Sequence, residues 1–458
     1  MVRAMTRIDN APAALGYAEH VKGTVALALP VMVARAGSLV MITVNTVQVG
    51  RAGGDELAYF ALGAVPQVFV MMVGLGMLIG TSVLVSQADG AGRPEDCGRI
   101  WRSAIQLCVV FGLISSVVCF FGEELFLQLG QSPDLSHGGA RVLWAAVWQM
   151  PAHFVAIATT FFLESIKKPL PGMIAMLIAN LVNALIGYVL IYGHYGFEAM
   201  GAEGAVVATG VARWIAAGGT IGFAWFMADH ARYGVRGSFL LPWSEGATLR
   251  RLGLPFGIAQ GVETLSFQAM IVFAGWLGAT ALGGYQIAMN MVIVVFMTAI
   301  GVATATGVRV GNAVGRGSVA DRDRAGAVGV ALNFVVMGAF ALAFVALDEA
   351  IVGFYSEDPA VIAACLPVVA VAAVMLVFDG AQTVLVSALR GAGDAWMPTA
   401  IQALAFWGVM TPVGYWLAFR AGHGAPGLMA GALAGVAVAS VLLGWRLVSS
   451  AGRPVRRL

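Results

Sequence analysis

The chain has 458 residues, 59% of them hydrophobic and 11% charged, with a net charge of +2. Soluble domains carry about 25% charged residues, so this balance excludes a soluble globular enzyme or a charge-driven nucleic-acid binder and indicates an integral membrane protein. Four scattered cysteines, Cys97, Cys108, Cys119 and Cys365, form no CxxC pattern and have no histidine at metal-ligand spacing, which leaves packing as their role.

Residues 1–20 carry charges and a proline but no apolar stretch closed by a cleavage site, so no cleaved signal peptide is expected. Twelve apolar windows follow, near 24–47, 58–86, 103–121, 141–163, 171–192, 205–227, 254–276, 285–308, 327–347, 361–388, 398–419 and 428–448. Runs of about twenty residues suit membrane-spanning helices, whereas spanning strands would alternate over about ten. With the N-terminus placed in the cytoplasm, 21 of the 26 Lys and Arg fall in inward-facing segments, among them Arg3, Arg7, Lys167, Lys168, Arg309, Arg390, Arg456 and Arg457. Outer segments lean acidic, as at Glu123-Glu124 and Glu357-Asp358. The positive-inside rule therefore predicts twelve spans with both termini cytoplasmic.

The chain also repeats itself. Leu29-Pro30 opens the first span and Leu254-Pro255 the seventh, and Gln87-Ala88-Asp89-Gly90 closes the second as Asn312-Ala313-Val314-Gly315 closes the eighth, both at an offset of 225. Six spans return the chain to its starting side, so two lobes in the same orientation follow, with a substrate path at their interface. The fold class expected is an all-α membrane protein of twelve helices in two six-helix lobes related by a pseudo-twofold along the membrane normal. The expected divisions are a cytoplasmic N-terminal segment 1–23, an N-lobe 24–228, a cytoplasmic linker 229–252, a C-lobe 253–448 and a cytoplasmic tail 449–458. Most of the 59 glycines fall inside spans, where small residues let helices approach closely.

Two spans carry an acid at depth: Glu263 in the seventh and Asp379 in the tenth. A carboxylate there costs roughly 2.5–3.5 kcal/mol on insertion scales, so it normally faces a bundle interior or a water-filled path. Two carboxylates facing one dehydrated cavity repel, so the pair is expected to hold a proton or be neutralised by Na⁺. Gln260, Gln286, Asn290 and Gln382 are candidates for added neutral oxygens at such a hard-cation site, or for interhelical hydrogen bonds. Arg35 and Arg213 fall near the middle of the first and sixth spans. They point to an N-lobe cavity of positive sign suited to a negatively charged substrate, partly offset by Glu164, or to arginines bonded to carbonyls. His153 reads as a packed helix histidine rather than a proton relay.

These motifs resemble the multidrug and toxic compound extrusion (MATE) family, in its bacterial NorM-like branch, over nearly the whole length. The resemblance is carried by Leu252-Gly253-Leu254-Pro255 with Glu263, by Tyr285-Gln286-Ile287-Ala288-Met289-Asn290 through Arg309-Val310-Gly311-Asn312, and by Asp379 with Ala388-Leu389-Arg390-Gly391 and Asp394. In the first half Gln87-Ala88-Asp89-Gly90-Ala91-Gly92-Arg93 and Ile191-Tyr192-Gly193 fit as well. It implies a secondary transporter exporting organic substrates, drug-like compounds or a natural product, in exchange for Na⁺ or H⁺ by rocking two lobes. Carried over by position, Glu263, Asp379 and Gln286 match the C-lobe cation site. The chain departs from the pattern at Asn45, where many relatives have a first-helix aspartate, at Gly187, where Asn or Asp is frequent, and at Met375, where some relatives place a tyrosine. Asn45 cannot exchange a proton, which moves the expected coupling to the C-lobe.

The function expected is therefore a cation-coupled exporter in a bacterial inner membrane, with Arg35, Asn45, Arg213, Gln260, Asn290 and Gln382 as candidate polar lining of its cavity. The alternative is a flippase for a lipid-linked saccharide or another anionic amphiphile. HExxH, Gly-x-Ser-x-Gly and P-loop motifs are absent from the sequence, which argues against an enzyme. No cofactor beyond the coupling ion is expected. The partners expected are the bilayer and a small-molecule substrate, with no nucleic acid, and two covalently joined lobes make a monomer sufficient.

Overall fold

A computed structural model describes residues 15–355, 358–454 and 458; the sequence expectations for Arg3, Arg7, Glu357, Arg456 and Arg457 lie outside these. The described residues form twelve helical traverses and no strand. The first half contains α1 (Tyr17–Ala52), α2 (Gly54–Gly90), α3 (Pro94–Phe120), α4 (Pro133–Ser165), α5 (Leu170–Tyr192) and α6 (Gly201–Phe226). The second contains α7 (Trp243–Trp276), α8 (Ala279–Arg316), α9 (Val319–Ala346), α10 (Pro359–Gly391), α11 (396–420) and α12 (Gly424–Ser450). Among the described residues eleven are long and apolar enough to cross a bilayer. Large side chains on their outer faces, such as Leu113, Val335 and Leu342, are more than half exposed, as a lipid-facing surface requires.

The exception, α11, alternates α-turns with π-turns at Leu404–Met410 and Trp416–Arg420. Pro412 has no N–H to return to the carbonyl four residues back, so the helix widens around it. Thr411 fills part of the gap by donating its hydroxyl to the Phe406 carbonyl at 2.9 Å. Short helices at Gly122–Gln128 and Asp348–Tyr355 sit in the same place in each half, 226 residues apart by their first residues (348 − 122), in keeping with the repeat.

The seventh helical stretch begins at Trp243, so the expected linker 229–252 is partly helical. Between α8 and α9 the chain turns at Gly317, whose φ of +76° suits only glycine well, and the Ser318 hydroxyl accepts from the Asp321 N–H to start the next helix.

The two lobes meet along α1, α2, α7 and α8, and they meet at one end. There Leu27 and Ala28 of α1 pack on Ala305 and Val308 of α8. Asn312 of α8 donates to the Ser86 carbonyl of α2 at 2.9 Å, and Gln87 of α2 donates to the Gly391 carbonyl of α10 at 3.0 Å. Glycine makes the approach possible: a Cβ on Gly76 of α2 would fall 2.7 Å from the Phe256 carbonyl of α7. Buried His20 bridges the same end. Its Nδ1 lies 2.9 Å from Arg309 Nη2 and its Nε2 3.4 Å from Asp321 Oδ1. Arginine only donates, so Nδ1 is the acceptor and Nε2 carries the proton toward the carboxylate.

Toward the other end the lobes part. Beyond Met41, α1 packs on α5 and α6 of its own lobe, while Gly284 of α8 packs against Ala364 and Cys365 of α10. The result is a cleft closed at the end that carries Arg309, Arg316 and Arg322.

Candidate cation and substrate site

Helical spacing places the C-lobe acids. On α7, Phe256, Gln260 and Glu263 fall at i, i+4 and i+7, one face of the helix; on α10, Asp379, Gln382, Val386 and Arg390 share a face in the same way. The two faces look at one another, and α11 adds Gln402. Asp379, Gln382, Gln402 and Arg390 are all buried.

A chain of side-chain hydrogen bonds runs through them. Arg390 Nη2 donates to Gln402 Oε1 at 3.2 Å, Gln402 Nε2 to Gln382 Oε1 at 3.4 Å, and Gln382 Nε2 to Asp379 Oδ1 at 3.3 Å. Gln260 Nε2 reaches Glu263 Oε2 at 3.5 Å, and the Arg390 guanidinium lies over the Phe256 ring, 4.7 Å from its centroid. Glu263 is close enough to interact with both Asp379 and Arg390.

The charge count is the chemical content of the site. Two ionised carboxylates face one guanidinium, which cannot be deprotonated in a protein, and the low-dielectric surroundings make a leftover charge costly. The cluster is one monovalent cation short of neutrality. A proton on the acid pair would supply it, and so would a sodium ion, a hard cation suited to carboxylate and carboxamide oxygens. Asn333 of α9 packs on the neighbouring face of α10. Both polar atoms of its buried carboxamide lack partners, and a Cβ on Gly380, the residue after Asp379, would fall 2.6 Å from its Oδ1.

Gln286 is exposed, in the half of α8 nearer Ala279, and among the described residues no hydrogen bond links it to either carboxylate. Asn290, one turn further on, accepts from the Tyr355 hydroxyl at 3.1 Å.

The N-lobe is built differently. Asn45, Asn183 and Thr209 close a triangle: Asn183 Nδ2 donates to Asn45 Oδ1 at 2.6 Å, Asn45 Nδ2 to Thr209 Oγ1 at 2.8 Å, and Thr209 Oγ1 to Asn183 Oδ1 at 3.0 Å. These three side chains carry no formal charge. Asn45→Ala should therefore cost about 1–3 kcal/mol by leaving two buried groups a partner short. It should leave the ion dependence of transport unchanged, to be read as a lower melting temperature beside an unaltered gradient response.

The two arginines have different surroundings. Arg35 lies 3.5 Å from Glu164 Oε1 and over the Phe161 ring, so it is largely answered. Among the described residues Arg213 has no ion pair with a carboxylate. Its Nη2 touches Met71 Sδ at 3.8 Å, its Nη1 is buried with no partner, and His153 lies beside it. Gln67, one turn from Met71 on α2, likewise keeps its Nε2 buried and unpartnered. The N-lobe interior thus leaves donors on Arg213 and Gln67 unanswered, while acceptor oxygens of Gln48, Gln149, Asn180 and Glu164 are buried without partners elsewhere in the same lobe.

Sequence reading identified the two acids but gave no place beside them to Arg390, Gln402 or Asn333. Arg390 counted there as one more residue at the inward-facing end. The available signal for Gln402 and Asn333 was a lone carboxamide in an otherwise apolar span.

The MatE family model matches residues 30–189 and 255–416, two segments whose starts lie 225 residues apart (255 − 30), the spacing of the internal repeat. The chain is 33% identical over 452 residues to a probable multidrug resistance protein NorM of Xanthomonas axonopodis pv. citri, spanning 97% of this chain and 98% of that one. It is 31% identical over 449 residues to the multidrug resistance protein PmpM of Pseudomonas aeruginosa, spanning 96% and 93%. The fold superposes with a TM-score of 0.85 on an outward-facing multidrug resistance MATE family transporter, at 16% identity and over 94% of this chain and 96% of that one.

Proposed function

Because this chain belongs to the MATE family of membrane transporters, we propose that it exports organic molecules in exchange for Na⁺ or H⁺ bound at the Glu263–Asp379 cluster. The observation that carries this reading is the two-to-one count of carboxylates, Asp379 buried and Glu263 partly buried, against the one buried guanidinium of Arg390 in the C-lobe. With a cation bound the cluster is neutral; without one it holds an uncompensated charge in an apolar interior. Any lobe arrangement that gives water access to the cluster is thereby favoured in the empty state. That difference in interaction is what an ion needs in order to shift the equilibrium between arrangements.

The positive-inside rule places the closed, arginine-bearing end in the cytoplasm, so the arrangement described is open to the outside, with both termini cytoplasmic in a bacterial inner membrane. Residues 24–228 and 253–448 act as the moving bodies and 229–252 as their linker. Unanswered donors on Arg213 and Gln67 suit a substrate with an acidic group, as in a natural product carrying a carboxylate. They also favour, as a second reading, a flippase for an anionic amphiphile.

Efflux from liposomes carrying the purified protein separates the two. Under separate Na⁺ and pH gradients, with cationic dyes and anionic metabolites as test solutes, export should require one gradient and should favour acidic solutes. Equal movement with no gradient would leave the flippase reading and overturn the antiport one.

A further inference from the structure

A groove lies on the lipid-facing side of the N-lobe, away from the cleft. It measures about 590 Å³ and runs between α5 and α6, with Lys167 and Lys168 at its mouth and Leu170, Ile174, Ile178 and Phe223 along its walls. A glycine helps make the space: Gly219 of α6 lines the groove, and a Cβ there would meet only Ala175 Cβ, at 4.0 Å. An apolar trough opening sideways to the bilayer, with ammonium groups at one end, has the shape and polarity of a single lipid.

The mouth is built rather than incidental. Lys167 and Lys168 close α4 with paired backbone bonds, Lys167 N to the Glu164 carbonyl at 3.0 Å and Lys168 N to the Leu163 carbonyl at 2.8 Å. This turn puts its first residue in the left-handed region, and Lys167 occupies it at φ +63°, where glycine is the usual choice. The chain thus accepts backbone strain while keeping a lysine. Each ammonium spends one donor on an aspartate, Lys167 on Asp89 at 3.2 Å and Lys168 on Asp229 at 2.7 Å. Two donors remain on each, and the N-terminus of α5, starting at Leu170, adds its partial positive charge beside them.

We propose that this groove holds an anionic phospholipid, one acyl chain lying between α5 and α6 and the phosphodiester on Lys167 and Lys168. The site rests on the chain spanning a membrane and is independent of which ion drives transport. Its occupant is a lipid rather than a free phosphate because the greater part of the lining is apolar and faces the bilayer.

Native mass spectrometry of the full chain in detergent tests it, with equal amounts of phosphatidylglycerol and phosphatidylcholine of matched acyl chains. Wild type should retain phosphatidylglycerol over phosphatidylcholine by on the order of tenfold, two lysines each favouring the anionic lipid. Lys167→Gln with Lys168→Gln should remove the preference. Ile174→Trp, on a half-exposed wall position that tolerates bulk, should fill the trough and lower retention of both lipids. Equal retention of the two lipids by wild type would overturn the site, as would an unchanged preference in the lysine variant or unchanged retention in the filled one. Displacement of the lipid by millimolar inorganic phosphate alone would also overturn it, since the acyl chain would then contribute nothing.

Discussion

Asp379→Asn and Glu263→Gln should each reduce gradient-driven efflux to the rate of protein-free liposomes while leaving the yield of folded protein intact. Either substitution removes one of two carboxylates facing a single guanidinium, so the cluster becomes neutral without an ion. Both lobe arrangements then carry the same electrostatic cost whether or not a cation is present, and a cation with no differential interaction cannot drive the change between them. Substrate binding should survive, because Arg213 and Gln67 lie in the other lobe. Equilibrium binding of a transported solute beside its efflux separates the two effects. Efflux at wild-type rates in both variants would remove the acid pair from the mechanism.

Arg390→Leu should have the opposite signature, a large loss of stability. The guanidinium is buried against Phe256, is bonded to Gln402 and is the positive partner within reach of Glu263. Removing one member of a buried charged set typically costs about 3–5 kcal/mol, because the charge left behind keeps its desolvation penalty. Combining Arg390→Leu with Asp379→Asn should recover part of that loss, since only one carboxylate then remains. The double-mutant cycle, read from thermal unfolding in detergent, measures the coupling. Strict additivity of the two changes would mean that arginine and acid do not share a site.

The architecture was legible in the sequence because the bilayer imposes long apolar runs, and each acid stood out for the same reason. All twelve windows correspond to helical traverses, and the offset between Leu29-Pro30 and Leu254-Pro255 marked the two lobes. The partners of the acids were harder to read. Arg390 sits within a turn of the end of α10, where positive residues gather for topological reasons, so its sign carried no special information until the fold turned it inward. Gln402 became a link only once α11 lay beside α10. Asn45 was noticed as a missing acid, but its neutral bonds to Asn183 and Thr209 depend on α5 and α6 converging on α1, which no local pattern encodes. Gln286 illustrates the reverse, a polar residue in the matching helix that the fold leaves exposed.

The widened turns of α11 give that helix slack. A π-turn holds about one residue more than an α-turn, so passing it one position along the helix rotates the side chains in between by about 100° without breaking the rod at either end. Trp407 lies within such a turn and donates to the Val262 carbonyl, adjacent to Glu263, at 3.3 Å, while Gln402 stands just before it. Sliding the widened turn would therefore re-aim the indole beside one acid while leaving in place Gln402, which bonds Arg390 and Gln382. The C-lobe can thus rearrange one wall of the proposed ion site by shifting register within a single helix, at far smaller displacement than the rocking of a whole lobe.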